Sequence, residues 1–239
     1  MAHISRKELK QDKFRESLEH GAEAVLSHRQ FAAAAIVLAV LVALGAFGWK
    51  MYVDRRAAKA SAALDEAMKA YNAPTRTSGQ PVDPGELSFA DDSARLGDAL
   101  QKFQKAATGY PRTNAGRMAN YYAALCFMDL GQLNQALEEL RRLENGSDKE
   151  LAGLARFQTA QIYRRTDKQD EAIKLLREIA DHPTLLVPKP MVLLELAAEL
   201  QRKNVQEAAA IYNQLKKDYP GSAISDQAQR ALDELPPQT

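Results

Sequence analysis

From Phe31 to Trp49 every position is apolar or small, reading FAAAAIVLAVLVALGAFGW. These 19 residues hold no charge, so the run predicts a helix apolar on every face. It would span about 28 Å, close to the roughly 30 Å hydrocarbon core of a bilayer. Arg29 and Lys50 bracket it, and Trp49 and Tyr52 stand where amphipathic rings prefer the headgroup layer. Arg29, Trp49, Lys50 and Tyr52 are therefore the expected membrane-interface residues.

After Trp49 the pattern becomes one-sided. Ala60, Leu64, Ala67, Met68 and Tyr71 fall on one helical face, and no Pro or Gly interrupts the run to Asn72. Residues 50–72 thus predict a helix that continues the membrane segment 31–49 as one rod. Residues 73–93 carry Pro74, Gly79, Pro81, Pro84 and Gly85 and predict a loop, a mobile linker. Ahead of the apolar run, residues 1–30 are polar. Ser5 and Glu8 fit a capping box, with Phe14, Leu18, Ala22 and Val25 following at helical spacing. That segment reads either as a short amphipathic helix on a membrane or partner, or as a polar tail.

From residue 94 to 239 the pattern recurs: a small residue, a large one four later, an apolar one three after that. Ala99, Phe103 and Ala106 fit, as do Ala136, Leu140 and Leu143, then Ala172, Leu176 and Ile179, then Ala208, Tyr212 and Leu215. The four alanines are 37, 36 and 36 residues apart. A period in the thirties with two helices per unit is the signature of a helical solenoid. The first helices of the middle units agree, with Ala124 and Phe127 ahead of Gly131 in one, and Ala160 and Tyr163 in matching places in the next. Tyr110-Pro111 and Tyr219-Pro220 end second helices, Pro183, Pro188 and Pro190 mark another boundary, and Ser222 to Leu235 predicts a closing cap.

This arrangement resembles the tetratricopeptide repeat. Ala99, Phe103, Ala106 and Pro111 match its small and large places in the first unit, Ala124, Phe127, Ala136 and Leu140 in the second, and Ala160, Tyr163, Ala172 and Leu176 in the third. The fourth unit keeps Ala208, Tyr212 and Pro220, with a first helix near Val192 to Gln201 that is hard to register. The first unit lacks an adjacent first helix, which the rod at 50–72 is expected to supply across the loop. The fold class is all-α: one N-terminal transmembrane helix, then a tetratricopeptide-like α-solenoid.

Composition narrows the function classes. Lys+Arg is 32 against Asp+Glu 31, a net charge of +1, which excludes a strongly basic nucleic-acid binder. Aromatic residues are 7% of the chain; alanine makes up the apolar content and favours closely packed helices. A single cysteine, Cys126, excludes an internal disulfide framework, and its place between Leu125 and Phe127 predicts a buried small hydrophobe. The apolar run is longer than a signal peptide's and follows about thirty residues, and Trp49-Lys50-Met51-Tyr52 is a poor cleavage context, so an uncleaved anchor is expected. Basic residues flank both sides: Arg6, Lys7, Lys10, Lys13, Arg15 and Arg29 before it, Lys50, Arg55, Arg56 and Lys59 after it and closer in. Charge leaves the topology open.

No catalytic constellation assembles. His3, His20, His28 and His182 have no metal-ligand spacing, and neither a nucleophile elbow nor a phosphate-binding Gly-rich loop occurs. Glu138, Glu139, Arg141 and Arg142 read as a solvated helix face. The expectation is a non-enzyme with no cofactor, no metal and no small-molecule substrate. Protein binding is the better prospect. First helices of such solenoids line a concave surface, and spacing places Tyr121, Leu125 and Met128 there with Tyr122 beside them, then Phe157, Gln161 and Arg164 with Arg165 beside them. Aromatic and Arg side chains are typical anchors for protein partners; the alternative is that Tyr121, Tyr122 and Phe157 pack helix to helix. The Lys and Asn pair of carboxylate-clamping tetratricopeptide domains is not visible.

The whole order of polar segment, single membrane helix and alanine-rich repeats is similar to the YfgM-like ancillary SecYEG translocon subunit family. The resemblance is carried by the apolar run to Trp49, by Tyr52, and by Ala57, Ala60, Ala63 and Ala67. It implies a cytoplasmic N-terminus, a bacterial inner-membrane anchor and a periplasmic repeat domain. It also implies partners among translocon subunits, periplasmic chaperones and exported clients, besides membrane lipid. A scaffold for another envelope machine, in division or outer-membrane assembly, is the alternative.

Overall fold

The computed structural model describes residues 29–76, 85 and 87–236; the expected N-terminal amphipathic segment, with His3, His20 and His28, lies outside them. The chain divides into two units, Met1–Arg55 and Arg56–Thr239. Among the described residues there are nine helices and one isolated bridge, between Thr75 and Phe89.

The first unit is the apolar part of α1 (Arg29–Tyr71), which runs on unbroken into the second. Its large side chains point away from the chain: Phe31 is 76% and Trp49 70% exposed. Such exposure of an apolar run is unfavourable in water and favourable in lipid. By length and composition α1 is able to cross a membrane, and none of its most apolar window is buried. Trp49, Lys50 and Tyr52 are exposed, with the Trp49 and Tyr52 rings 6.1 Å apart; the side chain of Arg29 lies outside the described ones.

In the second unit, the end of α1 buries Ala60, Ala67 and Ala70. It is followed by α2 (Asp92–Gly109), α3 (Asn114–Asp129), α4 (Leu133–Glu144), α5 (Lys149–Arg165), α6 (Gln169–Asp181), α7 (Lys189–Leu200), α8 (Val205–Asp218) and α9 (Ala223–Asp233). From α2 onward each helix packs on the next in chain order; α3 also touches α5, and α7 touches α9. All twelve seam positions named from the period are buried, none more than 6% exposed. Alanine at the crossing points lets helix axes approach, and Phe103, Leu140, Leu176 and Tyr212 fill the grooves.

The rod does supply the missing first helix. Ala67 and Ala70 share a cluster with Leu96, Ala99, Phe103, Ala119 and Cys126, and Tyr71 sets its ring edge-on to Phe103 at 6.0 Å. Arg95 donates to the Tyr71 carbonyl, and Arg56 donates to the Gly109 carbonyl at the other end of α2 (3.2 Å). The intervening linker is pinned at both ends: Arg76 N–H donates to the Phe89 carbonyl (3.0 Å), Phe89 N–H donates to that of Pro74 (3.1 Å), and Thr75 is buried. Phe89 packs on the first cluster, which is what draws the ends together.

Helix starts follow local chemistry. Asp91, Thr113, Asp148, Asn204 and Ser222 each accept from an amide three residues on. The turns within repeats use left-handed residues instead, Gly131 (φ 75°) and, 36 positions later, Asp167 (φ 55°). Gly116 is required for a different reason: a Cβ there would lie 1.9 Å from the Tyr110 carbonyl oxygen. The seam is continuous, because Leu100 and Tyr122 pack against both the first and second clusters and Leu154 against both the second and third.

Candidate protein-interaction face

Helices α3 and α5 are the first helices of successive repeats and carry the sequence-derived binding residues. Tyr121 is 7% exposed, within a cluster that includes Ala124, Phe127, Ala155 and Ile162. Its hydroxyl accepts from Gln158 Nε2 (3.1 Å), and burial raises its pKa, which that hydrogen bond partly offsets. Tyr122 is half-buried. It stacks on Phe103 (5.3 Å between centroids, 15°) and meets Tyr71 and Tyr121 edge-on, each at 5.8 Å. Offset and edge-to-face pairs of this kind place the positive ring edge against the negative face of the next. Leu125 packs partly buried and Met128 is buried, so α3 presents an apolar face largely consumed by packing.

On α5 most of the matching places are polar. Phe157 is half-buried against the third cluster. Gln161 Nε2 donates to Glu195 Oε2 (3.4 Å), and Arg164 donates to the same oxygen (3.0 Å) while its Nε lies 3.6 Å from Glu199 Oε1. Arg165 reaches back to the carbonyl of Met128 (3.4 Å), near the C-terminal end of α3 where carbonyls lack intrahelical donors. The six named residues therefore lie along two neighbouring helices. Tyr121, Gln161, Arg164 and Arg165 also make polar ties between successive first helices. Arg164 remains 45% exposed at its side chain, and Arg165 is exposed.

Glu195, Glu199 and Gln158 contact these residues and were not singled out from sequence; Tyr71, expected on the one-sided apolar face of the rod, meets Tyr122 edge-on. Glu195 and Glu199 stand four apart on α7, which is the signal that would have found them; the apolar residues that surround them from Met191 to Leu200 hide that helix's register. Tyr71 is raised in pKa by burial and by Asp129 and Cys126, against the nearby Arg95 guanidinium 5.7 Å from its ring. Cys126 is buried in the first cluster, against which Tyr71 and Tyr122 also pack; burial and Asp129 push its thiol up to about 12. No cluster of three or more metal-ligating side chains occurs among the described residues.

No curated protein and no solved structure matches the chain significantly. Family profiles do match. One described as a tetratricopeptide repeat covers residues 193–222, across α7 and α8, and one described as a tetratricopeptide repeat-like domain covers residues 28–183. The longer match spans more than half of the sequence, and the chain belongs to the tetratricopeptide repeat-like domain family.

Proposed function

We propose that the protein is a membrane-anchored, non-catalytic interaction module, an ancillary factor of the export translocon that links emerging proteins to periplasmic chaperones. Tetratricopeptide repeats indicate a protein-interaction module. The carrying observation is the union in one chain of such an array with a helix long and apolar enough to cross a membrane. In this reading α1 anchors the chain in a bacterial inner membrane, the N-terminus is cytoplasmic and the array is periplasmic. The face of α3 and α5, from Tyr121 and Tyr122 to Phe157, Gln161, Arg164 and Arg165, meets the partner. The polar half on α5 supports this, since Arg164 and Arg165 stay accessible while held in fixed orientations.

A photo-crosslinker placed at Arg164 in the full chain in native membranes tests the reading. Recovery of translocon subunits and nascent exported chains supports it. Recovery of division or outer-membrane assembly components alone replaces it with the scaffold reading. A reporter active only outside the cytoplasm, fused after Thr239, is expected to be active; silence would reverse the orientation.

A further inference from the structure

Four large apolar side chains of the second unit are exposed among the described residues: Leu87, Leu185, Leu186 and Tyr219. All but Leu87 lie on one edge of the array. Successive helices alternate in direction, so the α2–α3, α4–α5, α6–α7 and α8–α9 connections share that edge. Contacts run along it in order. Arg117 of α3 pairs with Asp148 ahead of α5 (3.5 Å), and Glu150 of α5 accepts from the Leu186 N–H in the α6–α7 connection (2.9 Å). At its start the Gly109 carbonyl accepts from Arg56, the residue at which α1 enters the unit. The edge with the exposed leucines is therefore the one by which α1 joins the array.

Leu185, at 89%, is the most exposed large apolar residue among those described, yet its turn is built. Thr184 N–H donates to the Val187 carbonyl (3.1 Å), Val187 N–H donates back to the Thr184 hydroxyl oxygen (3.1 Å), and Val187 is buried in the third cluster. Thr184 lies against Gly153, where a Cβ would meet its Cγ2 at 2.8 Å. Pro183 and Pro188 flank the turn. Leu185 and Leu186 are thus held outward, with little backbone entropy left to lose on contact.

We propose that this edge rests on the lipid bilayer, with Leu185, Leu186 and Tyr219 entering the headgroup layer. The inference rests on the reading that α1 spans that bilayer. Arg56 follows Trp49 by seven residues in the sequence, a tether that reaches at most about 25 Å even when fully extended. The anchor therefore holds the edge near lipid at high effective concentration. A protein partner fits this edge less well. Three side chains on two separate turns offer a few hundred Å² at most, short of the roughly 1,200 Å² at which specific protein interfaces begin. They also stand out as tips, and a tip needs a matching pocket in a protein but none in lipid. Tyr prefers the headgroup level, and Leu covers the apolar side of segments that lie in it. Exposed side chains on the same edge include Arg112, Lys149 and Lys189 against Asp181 and Asp218, so the edge does not repel lipid phosphates.

The test puts an environment-sensitive nitrobenzoxadiazole label on single-cysteine full chains, all carrying Cys126→Ala, in nanodiscs with and without a lipid that bears a nitroxide quencher near its headgroup. Phe47→Cys reports α1 in the membrane, Leu185→Cys reports the edge, and Arg202→Cys reports the exposed α7–α8 turn on the opposite edge. The labels at positions 47 and 185 are expected to be blue-shifted and to lose about half their emission or more to the quencher, and the label at 202 to lose little. Adding Leu186→Asp is expected to reduce the quenching at 185 with unchanged helix signal. Quenching at 47 with none at 185 beyond that at 202 would overturn the inference and leave the anchor standing. Absence of quenching at 47 would overturn the anchor reading, and this inference with it. A blue shift at 185 without quenching would also overturn the inference, reassigning the leucines to a protein contact.

Discussion

Helices α3 and α5 occupy the same place in successive repeats, yet they use it differently. At a spacing of 36, Tyr121 aligns with Phe157, Tyr122 with Gln158, Leu125 with Gln161, Met128 with Arg164 and Asp129 with Arg165. Positions that hold the seam keep their character: Ala119 and Ala155, Ala124 and Ala160, Cys126 and Ile162 are all buried. On the candidate face Tyr121 and Phe157 are both aromatic, whereas Tyr122, Leu125 and Met128 give way to Gln158, Gln161 and Arg164. The repeat backbone constrains the seam, because helix spacing tolerates little volume change, and leaves the candidate face free to differ. One end of the face is spent on packing, and the next offers oriented charge.

Substitutions can break or sharpen this contrast. The largest effect concerns Cys126. With its thiol pushed up to about 12 by burial, the folded chain holds far less thiolate than an exposed cysteine would at the same alkaline pH. Iodoacetamide at pH 8–9 should leave it unlabelled until the chain unfolds. The folded state retains a proton that the unfolded thiol releases, so this group's contribution to stability falls as pH rises from about 9 towards 12. Cys126→Ile, which copies Ile162, should abolish the labelling; rapid native labelling of the parent chain would refute the burial.

Tyr121→Ala should cost about 3 kcal/mol in chemical denaturation, because it opens a cavity and leaves Gln158 without its acceptor. Gln161→Ala on α5 should cost under about 1 kcal/mol. Equal losses at the two positions would erase the difference between the helices. The turns offer a reciprocal pair. Gly131→Ala should destabilise by about 1 kcal/mol, since an L side chain is strained at φ 75°, whereas Asp167→Gly should raise stability by about 0.5 kcal/mol. The smallest stability change belongs to Arg164→Ala, below about 0.5 kcal/mol and fading with added salt. If the proposed face is right, that same variant loses partner capture.

The seam was legible because small and large residues recur with one period and each place has one packing role. The closing helix expected over Ser222 to Leu235 was legible in the same way and is α9, which Ser222 opens. Less of the face was readable. Helical spacing aims Tyr121 inward, but whether a neighbouring helix then covers it depends on Gln158 and Ala155 arriving alongside, which no period states. Likewise the Glu195 and Glu199 partners of Arg164 depend on the register of α7, whose apolar residues surround the helix instead of marking one face. The bridge at Thr75 and Phe89 joins residues on either side of a Pro- and Gly-rich stretch, and composition alone reads that stretch as unstructured.

Because α1 furnishes both the apolar span and the opening wall of the array, the place where a protease severs it decides what is shed. Cleavage between Lys50 and Arg55, where every side chain is exposed, would release an array that still owns Ala60, Ala67, Ala70 and Tyr71. Cleavage after Tyr71 would remove that wall from the array, with the ring that meets Phe103 and Tyr122 edge-on. A soluble form suited to secretion or crystallisation therefore begins between Met51 and Arg56, whereas one that begins after Tyr71 lacks the opening wall.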